Sequence, residues 1–203
     1  MTRTLFVGDV HGCAAELGAL LREAAPTRVV LLGDLFTKGP SPAGVWDLIE
    51  EWGAESVLGN HDAALNRKSK SRIHLPGAAR TWLAALPLMK EGDGPDGRKW
   101  LAVHAGIDPV HGRRKTTRHF AINGRRYPDD SEDHHRFWWD GYRRQRLVVY
   151  GHDARRGLVD RRPWTLGLDS GCVYGGALTG YMLEQDKLIQ IPAGRMYVDP
   201  KGS

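Results

Sequence analysis

Five short apolar runs in this chain each break off at a polar signature, and that repetition narrows the folds open to it. Residues 4–8, 29–33, 56–58, 100–103 and 147–150 lead into Gly8-Asp9-Val10-His11-Gly12, Gly33-Asp34, Gly59-Asn60-His61-Asp62, His104-Ala105-Gly106 and Gly151-His152. Continuous rather than alternating apolar character suits strands buried on both faces. Between the first runs lie segments of helical period. Residues 14–24 carry Leu17, Leu20, Leu21 and Ala24 on one face, and residues 42–52 carry Val45, Leu48, Ile49 and Trp52. Strand and helix in alternation predict an α/β chain around a buried sheet. In such sheets sites form where strand ends converge, so imidazoles, carboxylates and one amide are expected at one edge.

The second half is less regular. Residues 81–86 read as a helix, and 164–168, 178–184 and 188–191 as strands. Residues 107–135 are polar and basic, and read as a long surface loop with little regular structure. The end of the chain beyond Asp199 reads as frayed. No repeat or linker divides the 203 residues, which predicts a single domain. A hydrophobic share of 41% with 26% charged residues argues against disorder.

No apolar run approaches the roughly 18 residues of a membrane span. Asp9 and His11 interrupt the first apolar stretch too early for a signal peptide, so the cytoplasm is the expected compartment. Cys13 and Cys172 are the only cysteines, and without a CxxC spacing they read as reduced small residues near turns. The net charge is +5, with basic groups at Arg67, Lys68, Lys70 and Arg72, at Arg113 to Arg118, at Arg125 and Arg126, and at Arg143 to Arg146. Each could be a solvated face; together they suit a substrate with several phosphates.

The polar signatures carry metal chemistry. Asp9 and His11 are two apart and point the same way on an extended segment, so they can grip one cation. Asp34 has two oxygens and can bridge two cations; Asn60 adds a carbonyl oxygen, and His104 and His152 add imidazole nitrogens. Such a mixed nitrogen and oxygen set suits manganese, iron, zinc, cobalt or nickel. Two divalent ions against Asp9, Asp34 and one hydroxide leave a net positive site that attracts phosphate. Two ions about 3.5–4 Å apart can acidify a shared water and hold phosphoryl oxygens for in-line attack. A lone histidine or a lone Gly-Asp is usually a packing or turn residue, but five strand ends with these signatures in order make a joint coincidence improbable. His74, His111, His119, His134 and His135 lie outside such contexts and read as non-ligands.

In their order and composition these signatures resemble the motifs of the phosphoprotein phosphatase family of calcineurin-like metallophosphoesterases, over residues 5–185. The resemblance implies a β-sandwich flanked by helices and a dinuclear metal centre, with manganese the first expectation. It implies Asp9, His11 and Asp34 at one metal and Asp34, Asn60, His104 and His152 at the other. It also implies His61 as the acid that protonates the leaving oxygen. Because His61 directly follows Asn60, the two side chains diverge, which suits that division of work.

Two positions depart from the family's protein phosphatases. Their Gly-Asp-x-Val-Asp-Arg-Gly reads Gly33-Asp34-Leu35-Phe36-Thr37-Lys38-Gly39 here. The carboxylate that would orient the acid histidine is Thr37, so His61 is expected to be protonated less often at neutral pH, unless another carboxylate substitutes. Lys38 supplies a cation to phosphate without the fork of arginine. A serine alkoxide needs the acid most, a phenolate with a pKa near 10 less, and a nucleoside phosphate with a terminal pKa of about 6 least. The pattern therefore favours phosphoanhydrides. It is similar to that of bacterial symmetrical diadenosine tetraphosphatases, which Gly59-Asn60-His61-Asp62 and residues 168–179 also resemble. Residues 169–176 are expected to form a tight loop near the site, with glycines serving backbone geometry.

The expected activity is hydrolysis of dinucleoside polyphosphates, diadenosine tetraphosphate giving two ADP. The alternatives are a phosphoprotein phosphatase of broad specificity and a basic nucleic-acid-binding module with a vestigial site. A nucleotide is the expected partner, with a phosphoprotein or capped RNA as alternatives.

Overall fold

The computed structural model describes residues 2–67, 73–95, 97–127 and 136–200. Among the described residues, ten strands fall into two five-stranded sheets. The first contains β1 (Thr4–Val7), β2 (Arg28–Leu31), β3 (Glu55–Ser56), β9 (Ala177–Met182) and β10 (Lys187–Pro192), in the order β10-β9-β1-β2-β3. The second contains β4 (Met89–Asp93), β5 (Lys99–Val103), β6 (Leu147–Tyr150), β7 (Val159–Arg161) and β8 (Thr165–Gly167), in the order β4-β5-β6-β8-β7. β1, β2 and β3 run parallel, as do β5, β6 and β8, while the other pairings are antiparallel. Parallel neighbours end on the same edge, so each sheet brings three strand ends together.

The sheets pack on each other through Phe6, Val30, Leu32 and Val57 from one and Trp100, Val149 and Leu166 from the other, with the Phe6 and Trp100 rings edge to face at 5.0 Å. Helices α1 (Ala14–Ala24) and α2 (Pro42–Trp52) cover the outer face of the first sheet through Leu17, Leu20, Leu21, Val45, Trp46 and Ile49. Their bounds match the predicted segments. Pro42 starts α2, and Gly53 ends it in the left-handed conformation. Helices α3 (Asn60–Arg67) and α4 (Gly77–Ala84) follow, the latter displaced toward the N-terminus from the predicted 81–86. No helix among the described residues is long and apolar enough to cross a membrane.

The expectation of little regular structure over 107–135 needs correction within 107–127, the rest lying outside the described residues. Gly112–Arg114 forms a 3-10 turn and α5 spans Arg118–Asn123, capped by the Thr117 hydroxyl, which accepts from Phe120 N at 3.1 Å. Phe120, Ala121 and Ile122 are buried against the second sheet beside Trp138 and Trp139 of α6 (Trp138–Gly141). The short apolar run inside a basic stretch was enough to anchor it. Lys68, Lys70, Arg72, His134 and His135 lie outside the described residues. Cys13 and Cys172 are free and buried, at the start of α1 and of a 3-10 turn, Cys172–Tyr174.

Candidate metal centre and active-site cleft

All six predicted ligand side chains come together where the parallel strands end. Asp9 and His11 follow β1, Asp34 follows β2, and Asn60 opens α3 after β3; His104 follows β5 and His152 follows β6. Asp34 faces both halves of the cluster: its Oδ2 lies 3.7 Å from His11 Nε2 and its Oδ1 3.6 Å from His104 Nε2. Oδ1 also accepts from His61 N at 2.9 Å, and Asp9 Oδ1 accepts from His152 N at 3.0 Å. His11, Asp34 and His152 have φ of 45°, 55° and 75°, a region that side chains with a Cβ seldom occupy. The glycines of the signatures permit this crowding. A Cβ on Gly59 would collide with Asp34, and one on Gly151 with Asp9.

The donor set fits cations. His104 Nδ1 donates to Leu32 O at 2.7 Å, so the neutral ring turns a lone pair on Nε2 inward. That nitrogen meets Asn60 Oδ1 at 3.0 Å and His152 Nδ1 at 3.2 Å, and the last two are 3.1 Å apart. Three acceptors thus face one another with at most one ring proton to share, and a cation is what such a cage lacks. Protonating the rings is not the remedy, because burial lowers His104 to about 4 and, with the His104 charge, takes His152 well below its ordinary value. The carboxylates tell the same story. Burial, with Asp169 and Asp34 nearby, holds Asp9 well above the usual range, and burial takes Asp34 to about 7. Ionised together they need positive charge beside them. The groups Asp9, Asp34 and His104, and His11, Asp34 and His61, each present ligand atoms within 4.8 Å of one another.

Known proteins resemble this chain over nearly its whole length. The calcineurin-like phosphoesterase model matches residues 2–190. The chain belongs to the calcineurin-like phosphoesterase family. Among curated relatives, the asymmetrical bis(5'-nucleosyl)-tetraphosphatase PrpE of Anoxybacillus flavithermus is 29% identical over 96% of this chain and 96% of its own. The symmetrical bis(5'-nucleosyl)-tetraphosphatase of Vibrio parahaemolyticus is 27% identical over 91% of this chain and 97% of its own. Among solved structures, a candidate diadenosine tetraphosphatase is 33% identical, covers 95% of this chain and 94% of its own, and superposes with a TM-score of 0.83.

Beside the ligand cluster of this phosphoesterase lies a cleft of about 760 Å³. Lys38 lines it, with its Nζ donating to Tyr174 Oη at 2.7 Å. His61 lines it too, held down to about 4 by burial and by the Lys38 charge, and no carboxylate hydrogen-bonds its ring among the described residues. This agrees with the expectation drawn from Thr37. The Thr37 hydroxyl, however, has a use of its own: it lies 3.0 Å from His11 Nδ1, which directs Nε2 toward Asp34.

Other residues of the site escaped the sequence reading. Asp62, fully buried, accepts from Asp34 N at 2.7 Å, Leu35 N at 3.1 Å and Gly59 N at 3.3 Å, tying two signatures together. Burial and the Asp34 charge raise its carboxyl to about 7. Asp169 faces the cleft, its carboxyl raised to about 6 by burial. Arg155 and Arg156 line the cleft with Arg125, Arg126 and Phe137. Their signal was available, since they follow His152 by three and four residues. Arg113, Arg114, Arg143, Arg144 and Arg146 line a separate cavity. His111 lies in that second cavity, and His74 and His119 line neither. Residues 169–176 do form a tight loop, with Gly171 and Gly175 at φ of 71° and 90°.

Proposed function

We propose that this phosphoesterase hydrolyses dinucleoside polyphosphates at a dinuclear centre held by Asp9, His11, Asp34, Asn60, His104 and His152, with manganese as the first choice of metal. The observation that carries the reading is the continuity of the ligand cluster with a cation-lined cleft of a volume suited to a nucleotide rather than a lone phosphate. The relatives named as tetraphosphatases support it. Bound divalent ions would acidify a water and neutralise phosphoryl oxygens. The chain's own residues do the rest. Asp34, with one oxygen toward His11 and the other toward His104, spans the two halves of the centre. Lys38, steadied by Tyr174, offers a point charge to phosphate. His61 is neutral near pH 7 in the free site, so a leaving group that departs as a nucleoside phosphate, needing little protonation, suits it better than an alkoxide. The cytoplasm is the proposed compartment.

The cut proposed is the symmetrical one, on the resemblance of residues 168–179. Purified protein with excess manganese is expected to convert diadenosine tetraphosphate to two ADP. Release of ATP and AMP would reassign the cut to the asymmetrical type. Phosphate release from phosphopeptides with no dinucleotide cleavage would overturn the substrate class. Asp34→Asn is expected to abolish turnover and weaken manganese loading; full activity in that variant would sink the ligand assignment.

A further inference from the structure

We propose that Arg126 and Arg156, carried on the ring of Phe137, clamp the phosphoryl groups beyond the one being cleaved, and so set a preference for polyphosphate chains over phosphate monoesters. The inference rests on the phosphohydrolase reading above and names the side chains that give it chain-length selectivity.

The two guanidinium carbons lie 5.3 Å (Arg126) and 4.6 Å (Arg156) from the centroid of Phe137, and all three residues line the cleft. The ring is not a loose platform. It stacks on Trp139 at 4.6 Å and 4°, and buried Trp139 stacks on Tyr150 at 5.2 Å, the last residue of β6. Tyr150 is two residues from His152. A column of three aromatic rings therefore links the arginine pair to the strand that delivers a predicted ligand. The backbone is fixed as well: Arg126 and Phe137 form a β-bridge, Trp138 N donates to Arg125 O at 3.0 Å, and Trp138 Nε1 donates to Ala105 O at 3.1 Å.

Charge separates these arginines from Arg125. Arg125 is engaged, lying 3.4 Å from Asp153 and donating to His152 O at 3.2 Å. Among the described residues neither Arg126 nor Arg156 forms an ion pair. Arg126 Nη1 is buried with no hydrogen-bond partner, a cost that an anion in the cleft would remove. A guanidinium fork matches two phosphate oxygens, and two forks held on one ring match more than one phosphoryl group. A monoester held at the ligand cluster has no further phosphate to offer them.

The test compares Arg126→Gln, Arg156→Gln, the double variant and Phe137→Leu with the parent enzyme, in excess manganese, on diadenosine tetraphosphate and p-nitrophenyl phosphate. Each lost charged contact is expected to lower the ratio of the two kcat/KM values about tenfold, chiefly through KM of the dinucleotide. Phe137→Leu is expected to do part of this. Equal losses on both substrates would overturn the clamp. Inhibition of monoester hydrolysis gives a second readout. The parent is expected to bind inorganic tripolyphosphate more tightly than orthophosphate, and the double variant to lose that preference; a preference that survives would refute the proposal. A parent that cleaves the monoester and never the dinucleotide sinks the substrate reading, while the tripolyphosphate comparison still judges the clamp.

Discussion

At the scale of single residues, the site is built under strain that its neighbours hold in place. Of six described non-glycine residues with positive φ, His11, Asp34, Lys38 and His152 belong to the cleft. Each such backbone costs about 1 kcal/mol or more, and persists where surrounding bonds over-determine it. For Asp34 those bonds come from the buried Asp62 carboxylate, which takes the amides of Asp34 and Leu35 together. For His11 the Thr37 hydroxyl fixes the ring nitrogen that faces away from Asp34. Thr37→Val keeps the shape and removes that partner. Manganese affinity, measured by titration of metal-free protein, is expected to weaken roughly 10- to 100-fold, the usual cost of losing a partner behind a metal-binding histidine. Unchanged affinity would mean that packing alone orients the ring.

At the scale of elements, strands with apolar runs were evident from sequence, edge strands β3 and β10 among them, whereas the polar edge strands β4 and β7 were not. β4 is Met89-Lys90-Glu91-Gly92-Asp93 and β7 is Val159-Asp160-Arg161, both without a fully buried residue and both at sheet edges. Polar edge strands guard against unwanted pairing and leave no apolar signature. One of them also ties the sheets together. Glu55 of β3 accepts from Arg28 of β2 at 2.7 Å and meets Lys90 of β4 at 2.9 Å, so a single carboxylate joins the rims of both sheets. The Arg28 hydrogen bond, with Lys90 beside it, holds Glu55 below its ordinary 4.5. A depressed folded-state pKa stabilises above the unfolded value and is lost as pH falls through the folded one. Glu55→Gln is therefore expected to lower stability at pH 7 by about 0.5 kcal/mol, a modest figure because the pair is partly solvated. In urea melts, the gap to the parent is expected to close below pH 4.5. A gap that is constant with pH would assign the effect to packing.

At the scale of the whole molecule, the ligands sit at the seam between two sheets. Asp9, His11, Asp34 and Asn60 come from the first, and His104 and His152 from the second. Cations bound there would bridge the sandwich and stabilise only the folded state. Chelating the metal is therefore expected to lower the melting temperature. At metal 100-fold above its Kd the loss is about 2.7 kcal/mol per site, or roughly 5–10 °C for a chain of this size. An unchanged melting temperature on chelation, with manganese otherwise shown to bind, would mean that the cage is equally open to metal in the unfolded chain.

Sequence by itself determined the α/β character, α1 and α2 to the residue, the buried strands and the six candidate ligands. All of these rest on local rules: apolar period, and short polar signatures that end a strand. The tertiary structure decided what depends on partners distant in the chain. It made Asp62 the tie between two signatures, since nothing in Gly59-Asn60-His61-Asp62 says that Asp34 and Leu35 will bring their amides to it. It gave Thr37 to His11 instead of leaving it without a role. It also chose Arg125, Arg126, Arg155 and Arg156 for the cleft from among many arginines. A cation looks the same in sequence on a solvated face and beside a ligand cage; for Arg126 and Arg156 the packing of Phe137 on Trp139, and of Trp139 on Tyr150, separates the two.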